Sequence, residues 1–284
     1  MRMFFRFAFL FTLSLFTFGC AQNFYNIPRE TYQKKVRTLG VAPLFVDGDS
    51  DIKHPEKDAL VNLIKDANRI NEKELVAQLK NTGAYFSVRL LDADAGQMFS
   101  ALFSRREKRD DAGIIYNKYF FKTEEIRNII SKNDVDAVLL VTVNGLTKPD
   151  KVYASNLLSY LESDYNYLAM SAQILDADGN TLWEYPNFRQ RSLTFPMFFA
   201  LQYPDFDEAA ANLSDRVDVK FKTIPGISKA FAKAEKSSVQ SKAQVSTLYN
   251  LIFEDMVSML KPEKNLFGGK KEEAKDVKPQ TDAK

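Results

Sequence analysis

Cysteine and histidine are nearly missing: a chain of 284 residues carries one of each, Cys20 and His54. A single thiol cannot close a disulfide within the chain, so in an oxidising compartment the fold must rest on core packing. One imidazole cannot build a histidine-rich zinc site, and any triad chemistry would have to pass through His54, which reads as a surface loop residue. Charge of one sign is missing as well, with 39 basic side chains against 37 acidic ones. Without a net basic field the chain has no electrostatic means of gathering nucleic acid, and that class of partner is excluded. Also absent are the phosphate-cradling loops G-x-x-x-x-G-K-[ST] and G-x-G-x-x-G and the nucleophile turn G-x-S-x-G. Their absence removes the commonest nucleotide-binding and hydrolase signatures, so the chain reads as a non-enzyme without a bound cofactor.

What is present starts with the position of the one cysteine. Arg2 and Arg6 give a positive start, and Phe7 to Phe18 form an apolar stretch too short to span a bilayer. The run Leu15-Phe16-Thr17-Phe18-Gly19-Cys20-Ala21-Gln22 then reads as a bacterial lipoprotein processing site, with residues 1–19 as signal peptide. On this reading the Cys20 thiol takes a diacylglycerol and the freed amine a further acyl chain. At about 0.8 kcal/mol per buried methylene, two or three chains make a stable anchor in membrane lipid. Gly19 suits the position before the cysteine, while Phe18 and Thr17 stand where a small residue and a leucine are expected. The competing reading is ordinary signal peptidase cleavage after Ala21, with Gly19 and Ala21 as the small residues, which leaves a soluble chain. If Cys20 is acylated, the following Ala21, in place of an aspartate, points to the periplasmic face of the outer membrane. Loss of residues 1–19 leaves 37 basic against 37 acidic side chains.

Residues 20–35 are polar with Pro28 and read as a tether, residues 36–260 as a single α/β domain ending in helices, and residues 261–284 as a disordered Lys/Glu-rich tail. Arg37 to Val46 is a buried strand ending in the turn cluster Asp47-Gly48-Asp49-Ser50-Asp51. Glu56 to Lys80 has helical spacing, with Asn71 and Glu74 reading as a cap that restarts the helix and Gly83 as its end. A strand at Tyr85–Leu91, a short helix at Asp94–Phe103 and a solvated charged excursion at Ser104–Ala112 follow. Thr123 is placed as the cap of the next helix. Val135 to Leu146 is the central strand, and Tyr165 to Leu175 alternates so that one face meets the core. Asp176-Ala177-Asp178-Gly179-Asn180 marks a hairpin returning through Trp183. Asp207 opens a helix carrying Leu213, Val217 and Phe221 that Pro225-Gly226 breaks, and Gln240–Leu260 forms the last helix. The expected fold is α/β, α+β-like: a mixed sheet with helices packed on it in two or three layers.

Three segments carry a resemblance: Val41-Ala42-Pro43-Leu44-Phe45, Val135-Asp136-Ala137-Val138-Leu139-Leu140-Val141, and Ile174-Leu175-Asp176-Ala177-Asp178-Gly179 with Trp183. Over Val36 to Ser192 the chain resembles exported α/β domains of the group that includes the curli-secretion lipoprotein, the penicillin-binding-protein activator lipoproteins and the amino-terminal domain of the Tol-system translocation protein. The resemblance implies an assembly or regulatory protein without catalytic residues.

Two further candidates stand out. Asp47, Asp49, Asp51 and Asp58 partly imitate a calcium loop, but Ile52 stands where the sharp turn needs glycine and Asp58 where a bidentate glutamate belongs. A solvated turn is the competing reading. Leu193 to Phe206 is rich in aromatics, and Phe195, Phe198, Phe199, Tyr203 and Phe206 read either as a segment folded over the core or as an exposed patch meeting lipid or a partner. The expected function is a lipid-anchored envelope protein that docks or regulates other envelope proteins. A periplasmic ligand-binding or cell-wall enzyme domain and a ring-forming export channel are the alternatives.

Overall fold

Pro43 interrupts the first apolar run, because a residue without an N–H cannot continue a ladder. In the computed structural model, which describes residues 23–189, 196–237 and 244–262, the run becomes two strands, β1 (Thr38–Val41) and β2 (Phe45–Asp47). Both lie parallel to β6 (Ala137–Tyr153), β1 through Leu39↔Ala137 and β2 through Phe45↔Thr142. Strand β3 (Ser87–Leu90) pairs parallel with the other edge of β1. Strand β7 (Tyr160–Asp176) runs antiparallel to β6, and β8 (Thr181–Tyr185) and β9 (Met197–Ala200) share the far side of β7. The result is a seven-stranded mixed sheet of order β3-β1-β6-β7-β8, with β2 and β9 beside it. The protein is thus α/β, with seven helices among the described residues.

Helices cover both faces. On one side Leu139, Val141, Leu168, Met170 and Trp183 pack with side chains from α1 (Arg29–Lys35), α2 (Lys57–Asn81), α6 (Ile224–Ala232) and α7 (Thr247–Ser258). On the other, Phe45, Val138, Leu140 and Leu175 meet Leu102 of α3 (Ala95–Leu102) and Ile126 and Ile130 of α4 (Thr123–Asn133). The arrangement has three layers, and β7 is buried on both faces from Leu168 to Asp176 instead of on one. That double burial explains why its outward residues Ala169, Ser171 and Gln173 are small or hydrogen-bonding.

Several sequence expectations are corrected. Residues 23–35, the described part of the supposed tether, pack on the body: Tyr25 and Tyr32 are buried and stack at 4.0 Å, and Tyr32 shares a 2.8 Å hydrogen bond with Tyr85. Burial pushes the Tyr25 hydroxyl up to about 12. Asn71 does not restart α2, which is continuous. Its amide donates to the Ala67 carbonyl at 2.8 Å and its oxygen accepts from the Ser246 N–H at 2.9 Å. Thr123 is the first residue of α4, without a side-chain capping bond. The charged stretch after α3 is a strand, β4 (Phe103–Asp111), paired antiparallel with β5 (Ile114–Phe121). Asp205, not Asp207, caps the short α5 (Phe206–Ala211), and Val219–Phe221 is strand β11, paired with β10 (Gln202–Pro204). Pro225 opens α6 instead of breaking a helix, since the first turn needs no N–H there. Strands β12 (Ala234–Lys236) and β13 (Gln244–Ser246) precede α7, so the last helix starts at Thr247. Cys20 and most of the tail lie outside the described residues.

Candidate functional site

The β4–β5 hairpin lies beside β6 and β7 on the face that α3 and α4 also cover, and its inner side is polar. Ala112 and Gly113 both have positive φ, 54° and 79°, as a tight hairpin turn requires. Asp47, 3% exposed at the end of β2, forms a salt bridge with Arg106 and accepts hydrogen bonds from the Tyr119 hydroxyl at 2.8 Å and the Asp49 N–H at 3.1 Å. Burial opposes the charge on Arg106, but the Asp47 carboxylate outweighs it and holds the guanidinium protonated. Burial, reinforced by the same carboxylate, pushes the Tyr119 hydroxyl far above its ordinary range. Farther along, Asn117 donates to Asn144 at 2.7 Å and to the Gly145 carbonyl at 3.1 Å, and Ser171 donates to the Asn117 carbonyl at 2.6 Å. The space left beneath the hairpin is about 10 Å³, room for one water at most. These groups are latched to one another and hold the hairpin down.

Asp47 is therefore committed to Arg106 and Tyr119, whereas Asp49, Asp51 and Asp58 are exposed. Among the described residues no three acidic, histidine or cysteine side chains converge where they could hold a metal ion. His54 is not a surface residue: it is 5% exposed, its Nδ1 accepts from the Glu56 N–H at 3.0 Å and its Nε2 meets the Lys222 carbonyl at 2.8 Å. The tautomer that satisfies both partners is the one with the proton on Nε2. His54 thereby staples its loop to β11.

The aromatic segment divides. Phe195 lies outside the described residues. Phe199 is buried on β9, paired with Leu168 and set edge-on to Phe231 at 5.3 Å, and Phe198 packs on Phe231 and Tyr249. Phe206 is half-buried, and Tyr203 is 39% exposed. Of the two readings, Phe198 and Phe199 follow the buried one, because β9 completes the far side of β7, whereas Tyr203 stays exposed.

Among the open features of the described residues, two bear on function. A crevice of about 390 Å³ sits beyond the carboxyl ends of β1 and β3, between Pro43, Lys65, Arg69, Glu72 and Gly96. Burial raises the Glu72 pKa despite the Leu44 backbone bond and the nearby Lys73 and Arg69. The second feature is an arm. Beyond Leu146↔Tyr167, β6 and β7 stay paired for seven more residue pairs, from Thr147↔Asn166 to Tyr153↔Tyr160; buried Asn166 still accepts a hydrogen bond from the Leu201 N–H and donates to the Asp51 carbonyl, and past it no other strand of the described residues pairs with the ribbon. At about 3.4 Å per residue the ribbon extends roughly 24 Å. Its mid-section is tied by Tyr167 and Lys148, which donate to Asp150 at 2.6 and 2.7 Å. Its end exposes Tyr153, Leu157, Leu158 and Tyr160. Nothing in the sequence pattern marked the arm, because Thr147-Lys148-Pro149-Asp150-Lys151 carries no apolar alternation. No protein-family model matches the chain, and no curated protein matches it.

Proposed function

We propose that the protein is a non-enzymatic, lipid-anchored factor of the bacterial envelope that docks or organises other envelope components. The observation that carries this reading is the arm, a paired ribbon whose apolar end contributes nothing to holding the fold. Large exposed apolar side chains gathered at one projecting point are the mark of a contact surface. By contrast, the groups best suited to acid–base work, Asp47, Arg106 and His54, are engaged in hydrogen bonds that fix loops and the β4–β5 hairpin. Cys20 at the end of an export-type leader supports the address, and the resemblance to exported assembly proteins supports the role.

The test is made in the native envelope. Incorporation of labelled fatty acid that disappears in Cys20→Ala supports the anchor, and label that persists overturns it. Replacing residues 149–164 by a short turn, which leaves the buried Tyr165 and Asn166 in place, should give a folded protein that loses its envelope crosslinks; an unchanged crosslink pattern overturns docking through the arm. A second reading, a ligand-binding domain, is favoured by the crevice at the carboxyl ends of β1 and β3, where open α/β sheets hold ligands. Stabilisation by a small ligand that Arg69→Ala and Glu72→Ala abolish would select it.

A further inference from the structure

The end of the arm has an order of side chains that ordinary solubility does not require. Charged residues lie along the ribbon, Lys148, Asp150 and Lys151 on β6 and Glu162 and Asp164 on β7. Tyr153 and Tyr160 come next, paired across the strands with ring centroids 5.6 Å apart. Leu157 and Leu158 stand last, 73% and 86% exposed. The Lys151 ammonium lies over the Tyr160 ring at 3.5 Å and 5.8 Å from the Tyr153 ring centroid, so the last charge of the ribbon rests on the aromatic pair. Charge, then tyrosine, then leucine is the polarity order met on entering a bilayer from water.

The turn itself is strained in a telling place. Leu157 has φ +60°, a left-handed conformation that costs a residue with a Cβ and that glycine or asparagine adopts more cheaply. A bulky apolar side chain is held there without burial to repay it, so folding does not account for the leucine. Part of the turn's backbone is also hydrogen-bonded internally. Ala154 donates to the Ser159 carbonyl at 2.8 Å, Leu157 to the Ala154 carbonyl at 2.9 Å, and Leu158 and Ser159 to the Asn156 side chain at 2.9 and 3.4 Å. Amides satisfied inside the turn can leave water at little cost, whereas unsatisfied ones cannot.

We propose that the tip of this arm, Leu157 and Leu158 with Tyr153 and Tyr160 behind them, inserts shallowly into the interfacial region of a lipid bilayer. The inference rests on the envelope location proposed above and adds a second membrane contact to the acylated Cys20. A convex tip with no groove of its own suits fluid acyl chains, which mould to it, better than a protein, which would have to supply the whole pocket. The arm is close to electroneutral, with two lysines against three acids, so insertion is driven by apolar burial and not by anionic headgroups.

The sole tryptophan, Trp183, is fully buried, which makes an added indole a clean reporter. Leu158→Trp is placed in the mature chain, residues 20–284 carrying Cys20→Ala, so that neither an acyl chain nor the apolar leader tethers it, and mixed with phosphatidylcholine vesicles. The expected result is a blue-shifted emission that persists in high salt and is quenched more by lipid brominated high on its chains than at the chain ends. In the Cys20→Ala chain that keeps Leu158, Leu157→Ser should lower vesicle affinity roughly tenfold with the circular dichroism spectrum unchanged. Emission that stays at the solvent-exposed wavelength with vesicles overturns the proposal. So does a blue shift that needs no lipid and grows with protein concentration, which points to a second copy, or one seen only when envelope proteins are added. Because the assay uses a chain without the thiol, its failure leaves the fatty-acid labelling result standing, and the reverse holds too.

Discussion

From Ala137 to Leu146 every residue of β6 is buried, whereas from Thr147 to Tyr153 the same strand alternates between half-buried and exposed. Its register with β7 does not change across that boundary. The inner half is Val, Leu and Ala between two helical layers, and its stability comes from apolar area removed from water. The outer half is Lys, Asp, Glu and Tyr and is held by its ladder and by cross-strand pairs worth about 0.2–1 kcal/mol each. A free two-stranded hairpin is marginal in water. The arm persists because its strands enter it already paired and aligned by the buried half and because Tyr165 and Asn166 at its base are themselves buried; beyond them order is lent along the backbone.

The comparison breaks hardest at the core. Phe199→Ala, which uncovers the inner half of β7, should cost about 3–5 kcal/mol in denaturant unfolding, and Leu139→Ala about 2–5 kcal/mol. Val152→Ala, the same kind of truncation on the arm, should cost under about 1 kcal/mol. At the junction, a Cβ on Gly145 would lie 2.5 Å from the backbone of Asp51 and Ile52, which cannot retreat as a flexible side chain would. Gly145→Ala should therefore destabilise by about 3 kcal/mol, read from the unfolding midpoint. Next comes Tyr119→Phe, which removes one of the bonds to Asp47 and should cost about 1–2 kcal/mol.

Acid should act on body and arm alike, because hydrogen bonds hold both Asp176 in the body and Asp150 on the arm below the ordinary carboxylate range despite burial. Burial opposes ionisation of Asp176, but hydrogen bonds from Lys35 and Asn180 outweigh it and lower its pKa. A carboxyl whose folded pKa lies below its unfolded value contributes stability that is complete above the unfolded value, about 3.9, and is lost as pH falls through the folded one. The Asp176 contribution should accordingly fade below about pH 4, and Asp176→Asn should flatten that part of the stability profile. The smallest effect falls on the tip. Leu157→Asn should change global stability by less than about 0.5 kcal/mol. Amide exchange should sharpen the contrast directly, with residues 148–152 exchanging faster than residues 138–143.

Legibility followed burial. The central strand, the Asp176–Asn180 hairpin with Gly179 at φ +77°, and the helix capped by Asp94 were readable because each has its own local signal. Strand β4 was unreadable as a strand because most of its side chains face water. Arg106, the one whose partner matters, differs from its charged neighbours only in standing across from Asp47. His54 gave no hint of burial, since its partners are a neighbouring amide and a carbonyl 168 residues away. Residues 23–35 looked like a tether because two tyrosines among polar residues show no period, yet both find the core.

Apolar periodicity and turn residues are local properties, and they were enough to specify an α/β chain with a buried central pair of strands. Which apolar or charged residues end at the surface is a different matter. Phe199 is covered because β9 closes beside β7, Asp47 is paired because a hairpin brings Arg106, 59 residues onward, to it, and Leu157 and Leu158 are bare because the ribbon outruns its layers. Those outcomes depend on neighbours distant in sequence, and only the folded chain assigns them.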